Sequence, residues 1–411
     1  MADIRDFAID SAPHTLWLSA EQRRLVHFAE AAVDPSGGFF WLDERGVPDR
    51  RKSRQLYAAA RMVHCFSIEH LLGRTGAADV AAHGVRALMT RFADVDHGGF
   101  FASETSDLSA AATRKEAYGH AFALLAGVSA ERAGIDGAQE VVDRARTALD
   151  RHFWDDHAQA SRESFDRRFT ASEDYRGQNS NMHLTEAYLA VFEATGDHRF
   201  LDRAEAIAER IVRRIIGPYD GRVPEHYTSH WTVDPDYNRH LPHDPFRPFG
   251  TLVGHSFEWA RLLLQLGALK PSADWTLPAA ELLFRRAVAD GWDERGGGFV
   301  YSVDDRGIPV NTSRMHWVAA EAVGAACWLY RATGRDEYRE WYATTWAWID
   351  AHVIDRAGGS WWHELDAHNH PATTTWDGKP DLYHAWQATL YARVDGTLGL
   401  GEAAVRGLIA G

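Results

Sequence analysis

The run Gly254-His255-Ser256-Phe257-Glu258-Trp259 sets an imidazole and a carboxylate three positions apart at the start of an apolar segment. On a helix, residues three apart share a face, so both side chains can reach one small ligand. An imidazole with an ordinary pKa of about 6.5 takes up and releases protons near neutrality. A carboxylate one turn along can fix its tautomer or accept from a ligand hydroxyl. A lone histidine at a helix start is more often a hydrogen-bonded structural group, so the reading depends on what else reaches the same place.

Similar polar sets recur at the starts of other apolar segments. They are Lys52, Arg54 and Gln55; Lys115, Glu116, Tyr118 and His120; Asn179, Asn181, Met182 and His183; His316, Trp317 and Glu321; and Lys379, Asp381, His384 and Trp386. Asn179/His183, His255/Glu258 and Trp317/Glu321 are spaced three or four apart, which keeps each pair on one helix face. Each residue has a bland explanation by itself, an ion pair for Arg54 or core packing for Trp317 and Trp386. Six segments presenting polar groups at the same end make a poor core, because every buried polar atom needs a partner.

The segments that carry these sets come from a repeat. Glycine-aromatic clusters occur at Gly37-Gly38-Phe39-Phe40-Trp41, Gly98-Gly99-Phe100-Phe101, Gly296-Gly297-Gly298-Phe299 and Gly358-Gly359-Ser360-Trp361-Trp362. Gly37 and Gly98 stand 61 positions apart, as do Gly297 and Gly358, and steps of that size from Gly98 land at Gln159 and near Gly221. Internal periods of this kind mark repeated supersecondary units. Before each turn an amphipathic segment predicts an outer helix, over 16–33, 77–93, 138–153, 198–216, 277–291 and 337–352. After each turn a more apolar segment predicts an inner helix, over 53–72, 115–133, 181–195, 254–266, 316–333 and 382–398. Gly73, Gly134, Gly196 and Gly334 supply helix ends. Six inner and six outer helices describe an all-α (α/α)6 toroid, one catalytic domain over residues 1–411 with short β-hairpins on one rim. A long segment over about 219–250, rich in proline and aromatics, reads as an ordered loop forming a lid or pocket wall.

Composition bounds the partners. A formal charge of −14 argues against nucleic acid or an anionic membrane surface, and 16 Trp with 22 His suit a small-molecule pocket as well as a core. The two cysteines, Cys65 and Cys327, form no CxxC pair, which points away from disulfides and thiolate zinc and toward reducing cytoplasm. Asp3, Arg5, Asp6 and Asp10 interrupt the N-terminus, so no secretory signal is expected, and no apolar run reaches the length of a membrane span. No HExxH or carboxylate-rich ligand string appears, so neither metal nor cofactor is expected. Outer-helix faces read alike whether they meet solvent or a second copy, so oligomeric state is not part of the reading.

The motifs Gly254-His255-x-x-Glu258-Trp259, Asn179-x-Asn181-Met182-His183, Lys52-x-Arg54-Gln55 and Lys379-x-Asp381-x-x-His384-x-Trp386 resemble the N-acylglucosamine 2-epimerase superfamily over nearly the whole chain. Within it they look most like the metal-independent aldose–ketose isomerase branch, the mannose and sulfoquinovose isomerases. The resemblance implies His255 and His384 as the acid/base pair. It implies Arg54, Tyr118, Asn179, His183, Glu258, Trp317, Glu321 and Trp386 as sugar-binding, histidine-orienting or pocket-shaping residues, with His120 or Lys115 as alternatives for Tyr118. The expected reaction interconverts D-mannose and D-fructose, with lyxose and xylulose as a further expected pair, through a cis-enediol. His384 would shuttle the carbon-bound proton, His255 would open the ring or protonate oxygen, and Arg54 would face the enediolate oxygen; the two histidine roles are interchangeable at this stage. The alternatives are 2-epimerisation, a sulfoquinovose substrate held by Arg239 or Arg247, a glycoside hydrolase using Glu258 and Glu321, and a sugar-binding protein without catalysis.

Overall fold

The computed structural model describes residues 7–104, 110–214 and 216–411. The charges at Asp3, Arg5 and Asp6, and one residue of the expected outer helix over 198–216, lie outside the described residues. Each sequence unit folds as a helix pair. In the first, α1 (Ala12–Ala29) opens with the Ser11 side chain accepting from the His14 amide and proline in its first turn, both favourable at a helix start. There follow α2 (Leu56–Leu71), α3 (Ala77–Ala87), a short α4 (Ala110–Thr113), α5 (Ala117–Arg132), α6 (Ala138–Ala148) and α7 (Gln178–Thr195). Then come α8 (His198–Ala208), α9 (Val253–Leu269), α10 (Thr276–Gly291), α11 (His316–Thr333), α12 (Asp336–Trp348), α13 (Tyr383–Tyr391) and α14 (Leu400–Val405).

Helices α2, α5, α7, α9, α11 and α13 pack each on the next, and α13 returns to α2. Outside them α3, α6, α8, α10 and α12 each cover an inner helix, and α1 covers α13. The ring is the expected (α/α)6 toroid. The inner helices are apolar on most sides because they are covered on most sides; α9 is buried without a break from Val253 to Leu266. Gly196 and Gly334 end α7 and α11 in the left-handed conformation, at φ 70° and 68°.

Three details differ from expectation. The outer helices α3, α6, α8 and α12 each finish in a five-residue π-helical turn, Leu88–Phe92, Leu149–Phe153, Glu209–Arg213 and Ile349–Val353. The last inner helix stops at Tyr391 instead of continuing to 398, because the chain turns at Asp395-Gly396, where Gly396 takes φ 100°. After that turn α14 packs across α2, α5, α7 and α13 and closes that end of the ring.

At the opposite rim, the two residues before an inner helix pair with a strand from the next unit. Arg54–Gln55 pairs with Ser103–Glu104, Lys115–Glu116 with Ser164–Phe165, Arg176–Gly177 with His226–Tyr227, Thr251–Leu252 with Ser302–Val303, and Arg314–Met315 with Glu364–Leu365. The ring closes when the Lys379 amide donates to the Leu42 carbonyl at 2.8 Å. Each of these strand pairs fixes where an inner helix begins, and so where its first turn of side chains is aimed.

Candidate active site

The first turns of the inner helices surround a cavity with about 760 Å³ of empty space, part of it open to solvent. Its wall takes Tyr57 and Arg61 from α2, Tyr118 from α5, Asn179 and His183 from α7, and His255 and Glu258 from α9. It also takes His316 and Trp317 from α11 and His384 from α13. Pro245 and Phe246 of the long loop and His363, Trp376 and Asp381 complete it. The 219–250 segment thus supplies one side of the pocket. Phe246 meets Trp376 edge to face at 5.4 Å.

The two histidines are held alike. Both oxygens of Glu225 lie 3.0 and 2.9 Å from His255 Nδ1, and a carboxylate oxygen of Glu321 lies 2.8 Å from His384 Nδ1. An ionised carboxylate only accepts, so Nδ1 carries the proton in both rings and Nε2 is left for a ligand. Gln178 locks the first pair. The Trp259 indole donates to its Oε1 at 2.7 Å, which turns its amide nitrogen to donate to Glu225 at 2.8 Å. Burial pushes the Glu225 carboxyl up, but the nearby His255 and the hydrogen bonds from His255 and Gln178 outweigh it and hold it below the usual range. His384 is depressed well below its ordinary value by burial and by the Arg61 charge. Trp317 lies within ring contact of both imidazoles, at 5.2 Å from His255 and 5.6 Å from His384. Gly254 makes room for it: a Cβ there would sit 2.2 Å from the indole.

Under this layer lies a charged floor. Arg261 reaches Glu321 at 3.0 Å, Glu186 at 3.5 Å and Glu258 at 3.7 Å. Both Glu258 oxygens are buried without a hydrogen-bond partner. Burial and the Glu321 charge raise the Glu258 carboxyl well above the usual range, which favours its protonated form. His183, pushed by burial down to about 4, stands 3.6 Å from Glu258 and 3.5 Å from Glu186. Its ring packs on Phe122 at 4.5 Å. Among the described residues, His183, Glu186 and Glu258 bring metal-ligand atoms within 4.8 Å of one another, with the Arg261 guanidinium already supplying a cation beside them.

On the opposite wall Arg61 donates to Asp381 at 3.1 Å and to the Tyr118 hydroxyl at 3.0 Å. Its guanidinium lies over the Phe122 ring at 4.3 Å. The Asn179 carbonyl oxygen is buried and unpartnered.

The structure therefore brings together Tyr118, Asn179, His183, His255, Glu258, Trp317 and His384, with Glu321 directly behind His384. Two expected residues lie elsewhere. Arg54 precedes α2 and pairs with Asp34 and Glu104 outside the cavity. That contact is one of a series, since Lys115 holds Asp94, Arg314 holds Asp293 and Lys379 holds Asp355, each joining the aspartate of a glycine-aromatic turn to the segment before an inner helix. Trp386 is fully buried, its indole donating to Glu69 at 2.6 Å in the core. Two positions from His384 on the same helix, it points to a different face. His120 is likewise committed, donating to the Glu116 carbonyl and accepting from the Phe100 amide. The tautomer-fixing partner of His255 is Glu225 and not Glu258. The loop arginines are neutralised, Arg247 by Glu173 and Arg239 by Asp236. Sequence reading missed Arg61, Tyr57, Glu225, Gln178 and His363.

A closed ring of helix pairs with a histidine-lined cavity at the inner-helix N-termini defines an (α/α)6-toroid protein built to move protons on a small polar ligand. The model of the N-acylglucosamine 2-epimerase (GlcNAc 2-epimerase) family matches residues 37–388, and the chain belongs to that family. It is 47% identical over 381 residues to a D-mannose isomerase of Thermobifida fusca, covering 92% of this chain and 94% of that protein. It is 44% identical over 386 residues to a D-mannose isomerase of Pseudomonas cannabina pv. alisalensis, covering 92% of each. A crystal structure of a D-mannose isomerase superposes with a TM-score of 0.86 at 30% identity, covering 94% of this chain and 98% of that one.

Proposed function

We propose that the protein is a sugar isomerase that interconverts D-mannose and D-fructose by proton transfer through a cis-enediol, without a metal. The observation that carries this is the pair His255 and His384 on one cavity, each with Nδ1 tied to a buried carboxylate and Nε2 left free. The similarity to proteins named D-mannose isomerase supports mannose as the substrate.

In this reading the sugar opens as His255 Nε2 takes the proton of the anomeric hydroxyl and passes it to the ring oxygen. His384, neutral because its pKa is depressed, takes the proton from carbon 2 at Nε2 and returns it to carbon 1, while a second proton passes from the carbon-2 hydroxyl to the carbonyl oxygen on carbon 1. Arg61 takes the part first given to Arg54: a permanent charge with several donors beside the oxygens where negative charge develops. Asn179, His183 and a protonated Glu258 bind hydroxyls, and Trp317 sets the two imidazoles apart. A hydrolase reading loses its second carboxylate, because Glu321 is committed to His384 and Arg261. The sulfonate reading loses the two cations first named for it, because Arg247 is paired with Glu173 and Arg239 with Asp236. A reducing cytoplasmic setting fits the two free, buried cysteines.

A second reading, 2-epimerisation, is favoured by one feature: two histidines with free Nε2 can serve opposite faces of the same enediol. Incubation with mannose, lyxose, glucose, cellobiose and sulfoquinovose, with products identified by carbon-13 NMR, tests both. Fructose from mannose is expected. Glucose as the sole product of mannose would replace isomerisation by epimerisation, and inertness toward every aldose would overturn both.

A further inference from the structure

His316 and His363 line the cavity but have no part in the proton transfer described above. The pairing of Arg314–Met315 with Glu364–Leu365 brings them together, and their rings stack with centroids 4.0 Å apart and planes 10° from parallel. Both are buried, at 4% and 6% exposure.

Their hydrogen bonds fix what they offer a ligand. His316 Nδ1 lies 3.3 Å from the His363 backbone carbonyl, which only accepts, so this nitrogen carries the proton. The His363 ring is hydrogen-bonded to the Asp381 backbone. Its Nε2 has no partner, so Nδ1–H makes that bond. In both rings Nε2 is buried and unpartnered. Burial, reinforced by the Arg61 charge, pushes His316 down to about 4. Burial, with His316 and Lys379 beside it, pushes His363 well below its ordinary value. Both rings are therefore neutral near pH 7, and each Nε2 is an unpartnered lone pair on a ring that lines the cavity. Buried acceptors of this kind need donors, and a bound sugar brings hydroxyls.

We propose that the stacked His316–His363 pair is a two-acceptor subsite that receives two neighbouring hydroxyls of the sugar and selects for neutral, polyhydroxylated substrates. Sulfonate and phosphate oxygens only accept, and would face two lone pairs. The proposal rests on the isomerase reading, since it names the substrate groups that site holds.

The test is steady-state kinetics on the wild type, His316→Phe and His363→Phe with mannose and its 3-deoxy, 4-deoxy and 6-deoxy analogues. Phenylalanine keeps the stacked ring and removes the acceptor. A site built to bond a hydroxyl rejects the analogue lacking it, so the wild type should lose about tenfold or more in kcat/KM on two of the analogues. Each variant should show a KM for mannose raised about tenfold and no remaining preference for mannose over one of those two. Variants that discriminate as the wild type does, or that lose the same factor on all four sugars, would overturn the subsite. Should a variant fail to fold, the wild type still decides, because equal turnover of all four sugars excludes the subsite. A wild type that makes no fructose from mannose would instead remove the isomerase reading, and this proposal with it.

Discussion

Replacing Glu225 with glutamine tests how the His255 imidazole is held without touching the cavity wall, because Glu225 stands behind His255. The carboxylate accepts from His255 Nδ1 with both oxygens, from the Leu252 amide at 3.1 Å and from Gln178 at 2.8 Å. A glutamine has one acceptor oxygen for these three donors. Either its NH₂ group turns to His255, which moves the ring proton to Nε2 and removes the lone pair from the cavity, or it meets the Leu252 or Gln178 donor and leaves a buried group unpaired. The charge-assisted bond alone is worth roughly 1.5–3 kcal/mol, about ten- to a hundredfold in rate. Tautomer inversion by an amide behind a catalytic histidine can cost about 10⁴. Initial rates of fructose formation should therefore show kcat down by at least about tenfold with KM little changed. Nitrogen-15 NMR of labelled imidazole should show the proton moved from Nδ1. An unchanged kcat, or a loss carried by KM alone, would refute the role given to Glu225.

The two arginines separate cleanly. Arg61→Lys keeps the charge opposite Asp381 but not the set of paired donors, and kcat should fall about a hundredfold; Arg54→Lys should leave kcat unaltered and show only as a lower melting temperature. Glu193 is raised to about 7 by burial, against an ordinary value of 4.5, while accepting from the Gly399 amide ahead of α14 and from Gln265. Its folded pKa lies above its unfolded one, so its contribution to stability is full below about 4.5 and is lost as the pH rises through 7. Melting curves at pH 5, 6, 7 and 8 should show the wild type losing ground to Glu193→Gln across that window, and parallel curves would contradict the assignment. Chelation by EDTA should leave turnover intact; a loss restored by a divalent ion would put a metal on His183, Glu186 and Glu258.

The toroid is readable from sequence because it is written twice, in the 61-residue spacing of the glycine-aromatic turns and in the alternation of amphipathic and apolar helices. The cavity residues that sit on helix starts, such as Asn179, His183, His255, Glu258 and His384, follow from the same periodicity. Arg61 and Arg54 show where that logic fails. Rim position favoured Arg54, yet the strand before α2 spends it on Asp34, and the residue that reaches the cavity lies two turns further on. Its signal was a single arginine inside the otherwise apolar run Ala58-Ala59-Ala60-Arg61-Met62-Val63, where a buried charge needs a reason. Trp386 could have been set aside on helix geometry alone, because it cannot share a face with His384. Glu225 left no local trace. It lies 30 positions before His255 in an irregular segment, and only the chain's path brings the two together. His363 arrives the same way, beside a strand pair that brings in a residue 47 positions from His316.

The central claim is that His384 moves one proton between two carbons of mannose, and its most direct test is proton bookkeeping in deuterium oxide. Mannose incubated with the wild type and followed by proton and deuterium NMR should give fructose with less than one deuterium per molecule at carbon 1, the shortfall being the proton carried over from carbon 2, while His384→Asn, folded by circular dichroism, should give neither exchange nor fructose. Exchange continuing at the wild-type rate in His384→Asn, or deuterium appearing only at carbon 2 of an aldose product, would contradict it.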